Sequence, residues 1–264
     1  MIKVGEKLNS SIPRTGEAIA RRDGLAIEKL AREQLAGGAD WLDVNAAVFM
    51  DGEQEALLWM MELVQRHTGA RLMVDSPNPA VIAAALAADR VGSAIVNSVT
   101  LEPQKLDALL PLVRQYNAGV VALPISPAGV PRTPEDRLAN VDLLMARMAD
   151  EGIAPERVYI DPLVEALSAD SAAPSVTLET IRRVRAAHPQ VNILLGLSNV
   201  SFGLPRRKLL NGVFLAGAMM AGANAAILDA ADAALAEIIA AAEALCGRDE
   251  YCMEYLRYCR SARK

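Results

Sequence analysis

Four short apolar runs in this chain end on a carboxylate or an amide, and those ends are where chemistry can sit. Arg71-Leu-Met-Val74 runs into Asp75-Ser76, Ala94-Ile-Val96 into Asn97-Ser98, and Val158-Tyr-Ile160 into Asp161-Pro162. Asn192-Ile-Leu-Leu-Gly196 runs into Leu197-Ser198-Asn199. Further polar ends follow other apolar runs: Glu6 with Asn9, Asp43 with Asn45, and Asp229. The set lacks strong bases and nucleophiles. The only histidines are His67 and His188, both near expected helix ends, which excludes a Ser-His-Asp triad and argues against a histidine-rich metal site. Lys7 is the only lysine near a strand end, so Schiff-base chemistry is disfavoured.

Carboxylates and amides without a nucleophile suit a flat heterocycle rich in N–H donors, such as the edge of a pterin. A carboxylate accepts two parallel hydrogen bonds from an amino group and the ring N–H beside it; an amide donates and accepts at once. Each residue also has a plain structural use. Asp43 fits a helix cap as well as a ligand contact. Asn45 suits a turn, and Asp229, just before a helix, suits a cap better than a contact. Ser76 and Ser198 suit local bonds to the backbone. Asp75 and Asp161 stand out, because a carboxylate directly after an apolar run is costly to bury unless it is paired. The recurrence of such ends carries more weight than any one of them.

Such ends converge if the runs are parallel strands of one barrel, because the C-terminal strand ends then share a face. Eight candidate strands are expected: Ile2 to Gly5, Trp41 to Val44, Leu72 to Val74, Ala94 to Val96, Val120 to Leu123, Val158 to Ile160, Ile193 to Gly196 and Ala225 to Leu228. Amphipathic stretches fill the gaps, which is the pattern of a parallel sheet. Leu25, Ile27, Leu30, Ala31 and Leu35 fall at helical spacing, closed by Gly37-Gly38. Asn78-Pro79 suggests a cap with proline at the first helical position, and Thr133-Pro-Glu-Asp136 a capping box with Asp in place of Glu. The last barrel helix, Asp232 to Leu245, places Leu235, Ile238, Ile239, Ala242 and Leu245 on one stripe. The fold class is therefore α/β, a single (β/α)8 TIM barrel over residues 1–264, with a short charged tail from about Arg248 that packs as a helix or frays. A doubly wound open sheet competes, but no G-x-G-x-x-G fingerprint supports it.

Composition narrows the partners. Apolar residues make up 52% of the 264 residues and aromatic ones 4%, so the core must be aliphatic. A net charge of −5 argues against nucleic acid, which selects clustered positive charge. Cys246, Cys252 and Cys259 match no zinc spacing, and an odd count suits a reducing, cytoplasmic setting. The N-terminus lacks the apolar core of a signal peptide. Leu209 to Leu228 approaches the length of a membrane span, yet it holds Asn211, Asn224 and three glycines and divides into a helix, a turn and a strand. The alanines Ala216, Ala218 and Ala221 on that helix fit core better than a dimer contact.

Six segments, in register along the chain, carry a resemblance: Gly5-Glu6-Lys7-Leu8-Asn9, Leu42-Asp43-Val44-Asn45, Val74-Asp75-Ser76, Val96-Asn97-Ser98, Tyr159-Ile160-Asp161-Pro162-Leu163 and Gly196-Leu-Ser-Asn-Val-Ser201. Together with Arg207, Asn211-Gly-Val-Phe-Leu215 and Gly222-Ala-Asn-Ala-Ala226, they resemble the methyltetrahydrofolate:corrinoid methyltransferases and the folate domain of cobalamin-dependent methionine synthase. The resemblance implies a pterin-binding, dihydropteroate synthase-like barrel, usually a homodimer, active in one-carbon metabolism. It implies methyl transfer between N5 of methyltetrahydrofolate and the cobalt of a corrinoid (cobalamin) held by a partner protein, in either direction. It implies that Asp75, Asn97 and Asp161 bind the pterin, with Ser198, Arg207, Glu6 and Asn9 lining the same site, and that Asn199 hydrogen-bonds near N5 and supports catalysis. No metal is implied on this chain. Phe202 departs from the polar residue of the corrinoid/iron–sulfur branch and matches the methionine synthase branch. Two alternatives stay open: a dihydropteroate synthase-like enzyme, although Arg206-Arg207-Lys208 lacks that enzyme's flanking pattern, and a folate-binding barrel without activity.

Overall fold

The computed structural model describes residues Met1–Ser261. Eight parallel strands close into a barrel in chain order. They are β1 Ile2–Asn9, β2 Trp41–Asn45, β3 Leu72–Asp75, β4 Ile95–Val99, β5 Gly119–Ala122, β6 Val158–Ile160, β7 Asn192–Gly196 and β8 Ala225–Leu228. β8 pairs back onto β1, with Ile2 opposite Ala225, so the open doubly wound sheet is excluded. All eight expected strands are present, and several run further than expected into their polar ends. β1 continues to Asn9 through an irregularity between Gly5 and Leu8, and β4 continues through Asn97 and Ser98.

The helices α1 Pro13–Ala20, α2 Gly24–Ala36, α3 Glu53–Thr68, α4 Pro79–Ala88 and α5 Pro103–Gln115 serve the first half. The second half has α6 Pro134–Asp150, α7 Ala173–Ala187, α8 Arg207–Ala221, α9 Ala233–Leu245 and α10 Met253–Ser261. Side chains that satisfy otherwise free N–H groups set several helix starts. Asp23 accepts from the N–H of Ala26, Asn78 from that of Ala80 and Asp232 from that of Ala234. Thr133 accepts from the N–H of Asp136 and donates its hydroxyl to the Asp136 carboxylate at 2.7 Å, a shortened capping box. The tail from Arg248 forms α10; its last three residues lie outside the described residues.

Strand alternation sorts the core into two layers. Val4, Met73, Ile95, Val121, Tyr159, Leu194 and Ala225 form the cluster inside the barrel. Leu42, Val44, Leu72, Val74 and their equivalents join the larger cluster under the helices. Ala218 and Ala221 are buried, as expected for core. Leu245 departs from the stripe expected of α9: it is 79% exposed, at the last position of the helix, beyond the barrel's cover. No helix among the described residues is long and apolar enough to cross a membrane.

Candidate active site

Strand register builds the site. Successive strand residues face opposite ways, so residues in register share a face. Asp43 stands opposite Met73, which points into the barrel, and one step on Asn45, Asp75 and Asn97 stand side by side across β2, β3 and β4. This polar row closes the top of the apolar interior. Above it opens a cavity of about 460 Å³. Glu6, Asn9, Asp75, Asn97, Ser198, Asn199 and Arg207, all expected at the site, line it. Lys7 and Asp43 line it too.

Hydrogen bonds fix the row. The Asn45 Nδ2 donates to Asp75 Oδ2 at 2.9 Å, while its Oδ1 accepts from the Ser10 hydroxyl at 3.0 Å and the Ala47 N–H at 3.1 Å. Asn45 thus ends β2, accepts from the first N–H of the following turn and braces Asp75. The Asn97 Nδ2 donates to Asp43 Oδ1 at 3.4 Å. Asp43 caps no helix; it is buried at the bottom of the cavity. Burial, then repulsion from Asp75, lifts its pKa well above the ordinary value; the Asn97 bond opposes the rise and Glu6 adds to it. Burial also raises Asp75, with the Asn45 bond opposing and the buried Glu53 contributing. Glu53 opens α3 and accepts the Ser76 hydroxyl at 2.6 Å, and Ser76 accepts from the N–H of Asn78.

The wall opposite comes from the 3-10 turn Leu197–Ser201 after β7. Asn199 is exposed at its rim. A Cβ on Gly196 would lie 3.0 Å from Asn199 Nδ2, so the glycine makes room for the amide. Arg207 opens α8 and braces this turn: its Nε donates to Ser201 Oγ at 3.1 Å and its Nη2 to the Ser198 carbonyl at 2.7 Å. Asp229 forms a turn rather than a helix cap, accepting from the Ala231 N–H and from Gln34, and pairing with Lys7 at 2.9 Å.

Asp161 stands two residues after Tyr159, whose side chain packs inside the barrel, and so shares that inward face. It follows β6 but does not line the cavity; its Oδ1 accepts the Leu163 N–H at 2.8 Å. Burial lifts its pKa to about 6, against the N–H groups of Leu163 and Val164 and the charge of Arg137. Among the described residues no group of three or more His, Cys, Asp or Glu could hold a metal. The residues do fit a flat, donor-rich ring: acceptors in a row at the bottom and an unencumbered amide at the rim.

Sequence reasoning gave Asp43 too little weight. The signal was there: Trp41, Asp43 and Asn45 alternate with Leu42 and Val44, placing the carboxylate on the face of Asn45 rather than at a helix cap.

Residues 14–229 match the family described as pterin binding enzyme. The chain belongs to that family. Within it, the chain is 35% identical over 257 residues to the methylcorrinoid:tetrahydrofolate methyltransferase of Eubacterium limosum, covering 97% of this chain and 94% of that protein. It is 30% identical over 244 residues to the methionine synthase of Mycobacterium tuberculosis, covering 87% of this chain and 20% of that protein. Two solved structures share the fold. The dihydropteroate synthase of Xanthomonas albilineans in complex with 7,8-dihydropteroate has a TM-score of 0.64 at 22% identity, covering 92% of each chain. That of Yersinia pestis has a TM-score of 0.62 at 16% identity with the same coverage.

Proposed function

We propose that this family member transfers a methyl group between N5 of tetrahydrofolate and the cobalt of a corrinoid carried by a partner protein. What carries the reading is the exposed amide of Asn199 at the rim of a cavity whose base is a row of carboxylates and amides. The end-to-end likeness to a methylcorrinoid:tetrahydrofolate methyltransferase supports it and favours the direction in that name. The dihydropteroate synthases bear on the fold alone.

Transfer onto N5 forms an N–C bond, breaks the cobalt–carbon bond with its electron pair left on the metal, and releases the N5 proton. In the opposite direction the tertiary amine is a poor leaving group, and the N5 proton must be supplied. In either direction the site must tell N5–H from bare N5. Asn199 suits this, because its amide can donate to the bare amine and turn to accept from the protonated one. Asp75 and Asn97 take the ring's N–H donors, Asp161 anchors it from β6, and Glu6, Asn9, Ser198 and Arg207 shape the walls. The corrinoid is substrate, and its carrier docks over the strand C-termini. Exposed Val48, Met50 and Phe202, in loops at that end, give the carrier apolar contacts.

The reading extends to one barrel domain, a cytoplasmic setting and a homodimer. The free cysteines support the second. The third is supported by the exposed Leu209, Val213 and Met220 along α8.

The test is spectroscopic. The protein is mixed anaerobically with methylcobalamin and tetrahydrofolate, or with cob(I)alamin and methyltetrahydrofolate, and the cobalt absorbance is followed. Protein-dependent conversion is expected, and Asn199→Ala should slow it about 100-fold with little change in folate affinity. Absence of tetrahydrofolate binding in a direct titration would overturn the reading.

A further inference from the structure

Arg137 lies in α6, away from the cavity, and is 1% exposed. It shares a helix stripe with Val141, Leu144 and Met148, all fully buried. A charge in such a place needs a reason, because a packed apolar side chain serves stability as well or better. The reason lies in where its donors go. Its Nη1 reaches the carbonyls of Pro162 and Leu163, each at 2.8 Å, and lies 3.5 Å from Thr177 Oγ1. Its Nη2 meets the Glu165 carboxylate, and its Nε donates to the Pro131 carbonyl at 3.2 Å. Thr177, itself fully buried on α7, donates to the Leu163 carbonyl at 3.0 Å. Most of these bonds converge on the turn after β6, where Leu163 takes a φ of +63°. That left-handed backbone is strained for a leucine and persists only where its surroundings hold it. The N–H of the same Leu163 holds the Asp161 carboxylate.

We propose that Arg137 is a positioning residue of the pterin site, clamping the turn 162–165 so that the Asp161 carboxylate is held in one place and presented in one orientation. This rests on the reading of Asp161 as a pterin contact. The fork of a guanidinium suits the task, since it reaches several acceptors on one rigid plane while its charge favours the ionised carboxylate. The turn has few ladder bonds of its own: Asp161 N–H reaches the Ala122 carbonyl, and beyond it the backbone leans on Arg137 and Thr177.

The test separates the clamp from the function. The Asp161 carboxyl is followed by carbon-13 NMR, identified by its loss in Asp161→Asn, in wild type, Arg137→Gln, Arg137→Lys and Thr177→Val. The wild-type midpoint should fall at about 6. Arg137→Gln should raise it by about 1 unit, Thr177→Val less, and Arg137→Lys, which keeps the charge but not the fork, should lie between. Thr177→Val is isosteric and keeps the question answerable if Arg137→Gln does not fold. Tetrahydrofolate affinity near neutral pH should weaken roughly tenfold in Arg137→Gln. An unmoved Asp161 midpoint in the folded variants overturns the proposal, as does a moved midpoint with unchanged tetrahydrofolate affinity. Wild-type protein that binds no tetrahydrofolate overturns the functional reading instead, and the carboxyl titration still decides whether Arg137 governs Asp161.

Discussion

Asn199 and Gly196 form a unit of two residues, three apart along the chain, in which the missing side chain of one leaves room for the amide of the other. Gly196 has an ordinary φ of −76°, so alanine would fit its backbone. The obstacle is space, since a Cβ there would stand 3.0 Å from the Asn199 amide nitrogen. Gly196→Ala should therefore leave the fold and the thermal midpoint nearly unchanged and push the amide from the rim by a few tenths of an ångström. Under the proposed function, turnover should fall about tenfold or more, because misplacement of this order is felt in the rate. Stopped-flow rates beside an equilibrium tetrahydrofolate titration check this; an equal loss in affinity would show that the amide serves ground-state binding. At this scale the sequence was informative about residue type and poor about facing. Asp75 and Asp161 were legible as candidates because a carboxylate directly after an apolar run is costly to bury unless paired, whereas the role expected of Asn199 came from the resemblance. The bond from Asn45 to Asp75 was not legible, because it depends on the register between β2 and β3.

The elements hold these residues through close approaches that no periodicity announces. α2 ends against the connection after β8, where a Cβ on Gly37 would stand 2.0 Å from the Ala230 carbonyl oxygen. The adjoining Gly38 serves differently, taking a φ of +86° to turn the chain toward β2. Gly37→Ala forces α2 away from that connection and should destabilise the fold by about 1–3 kcal/mol through overpacking. Denaturant unfolding measures it, with Gly69→Ala as a comparison: Gly37 has an ordinary φ of −72°, whereas Gly69 has a φ of +67° and nothing within 4 Å of its Cβ position. A smaller loss at Gly37 than at Gly69 would mean that backbone strain outweighs the contact. The barrel itself was readable because every strand carries at least two aliphatic residues. Strand ends were not, because pairing in β1 and β4 continues through polar residues. α1 escaped notice for a related reason: it has eight residues, and only Thr15 and Ile19 are buried. Arg137 did leave a sign, a charge on the apolar stripe of α6, but its purpose depends on a turn 25 residues further on.

For the molecule as a whole, the site is a cost imposed on the fold. Asp43, Asp75 and Asp161 all have pKa values raised by burial. A carboxyl whose folded pKa exceeds its unfolded value binds a proton more readily in the folded state. Its contribution to stability is therefore present at low pH and is lost as pH rises through the folded value. For Asp161 the window runs from the ordinary 3.8 to about 6, a difference worth about 3 kcal/mol. Asp43 is raised well above its ordinary value and Asp75 is raised too, so both act in the same sense. Asp229 and Asp232 are lowered, Asp229 because bonds from Gln34 and Lys7 outweigh its burial and Asp232 chiefly through its bond to Lys208. Their stabilisation is lost only as pH falls below the ordinary carboxylate range, outside the window that matters here. The thermal midpoint should therefore drop as pH rises from about 5 to about 8. Asp43→Asn removes one of these burdens at nearly constant shape. It should raise the midpoint at about pH 8 by several degrees and flatten its pH dependence, while weakening tetrahydrofolate binding. Calorimetry across that range checks the claim. A midpoint that climbs with pH, or an Asp43→Asn variant less stable than wild type at the alkaline end, would mean that the bonds around Asp43 and Asp75 outweigh their burial. The acidic bottom of the cavity would then be part of what holds the barrel together.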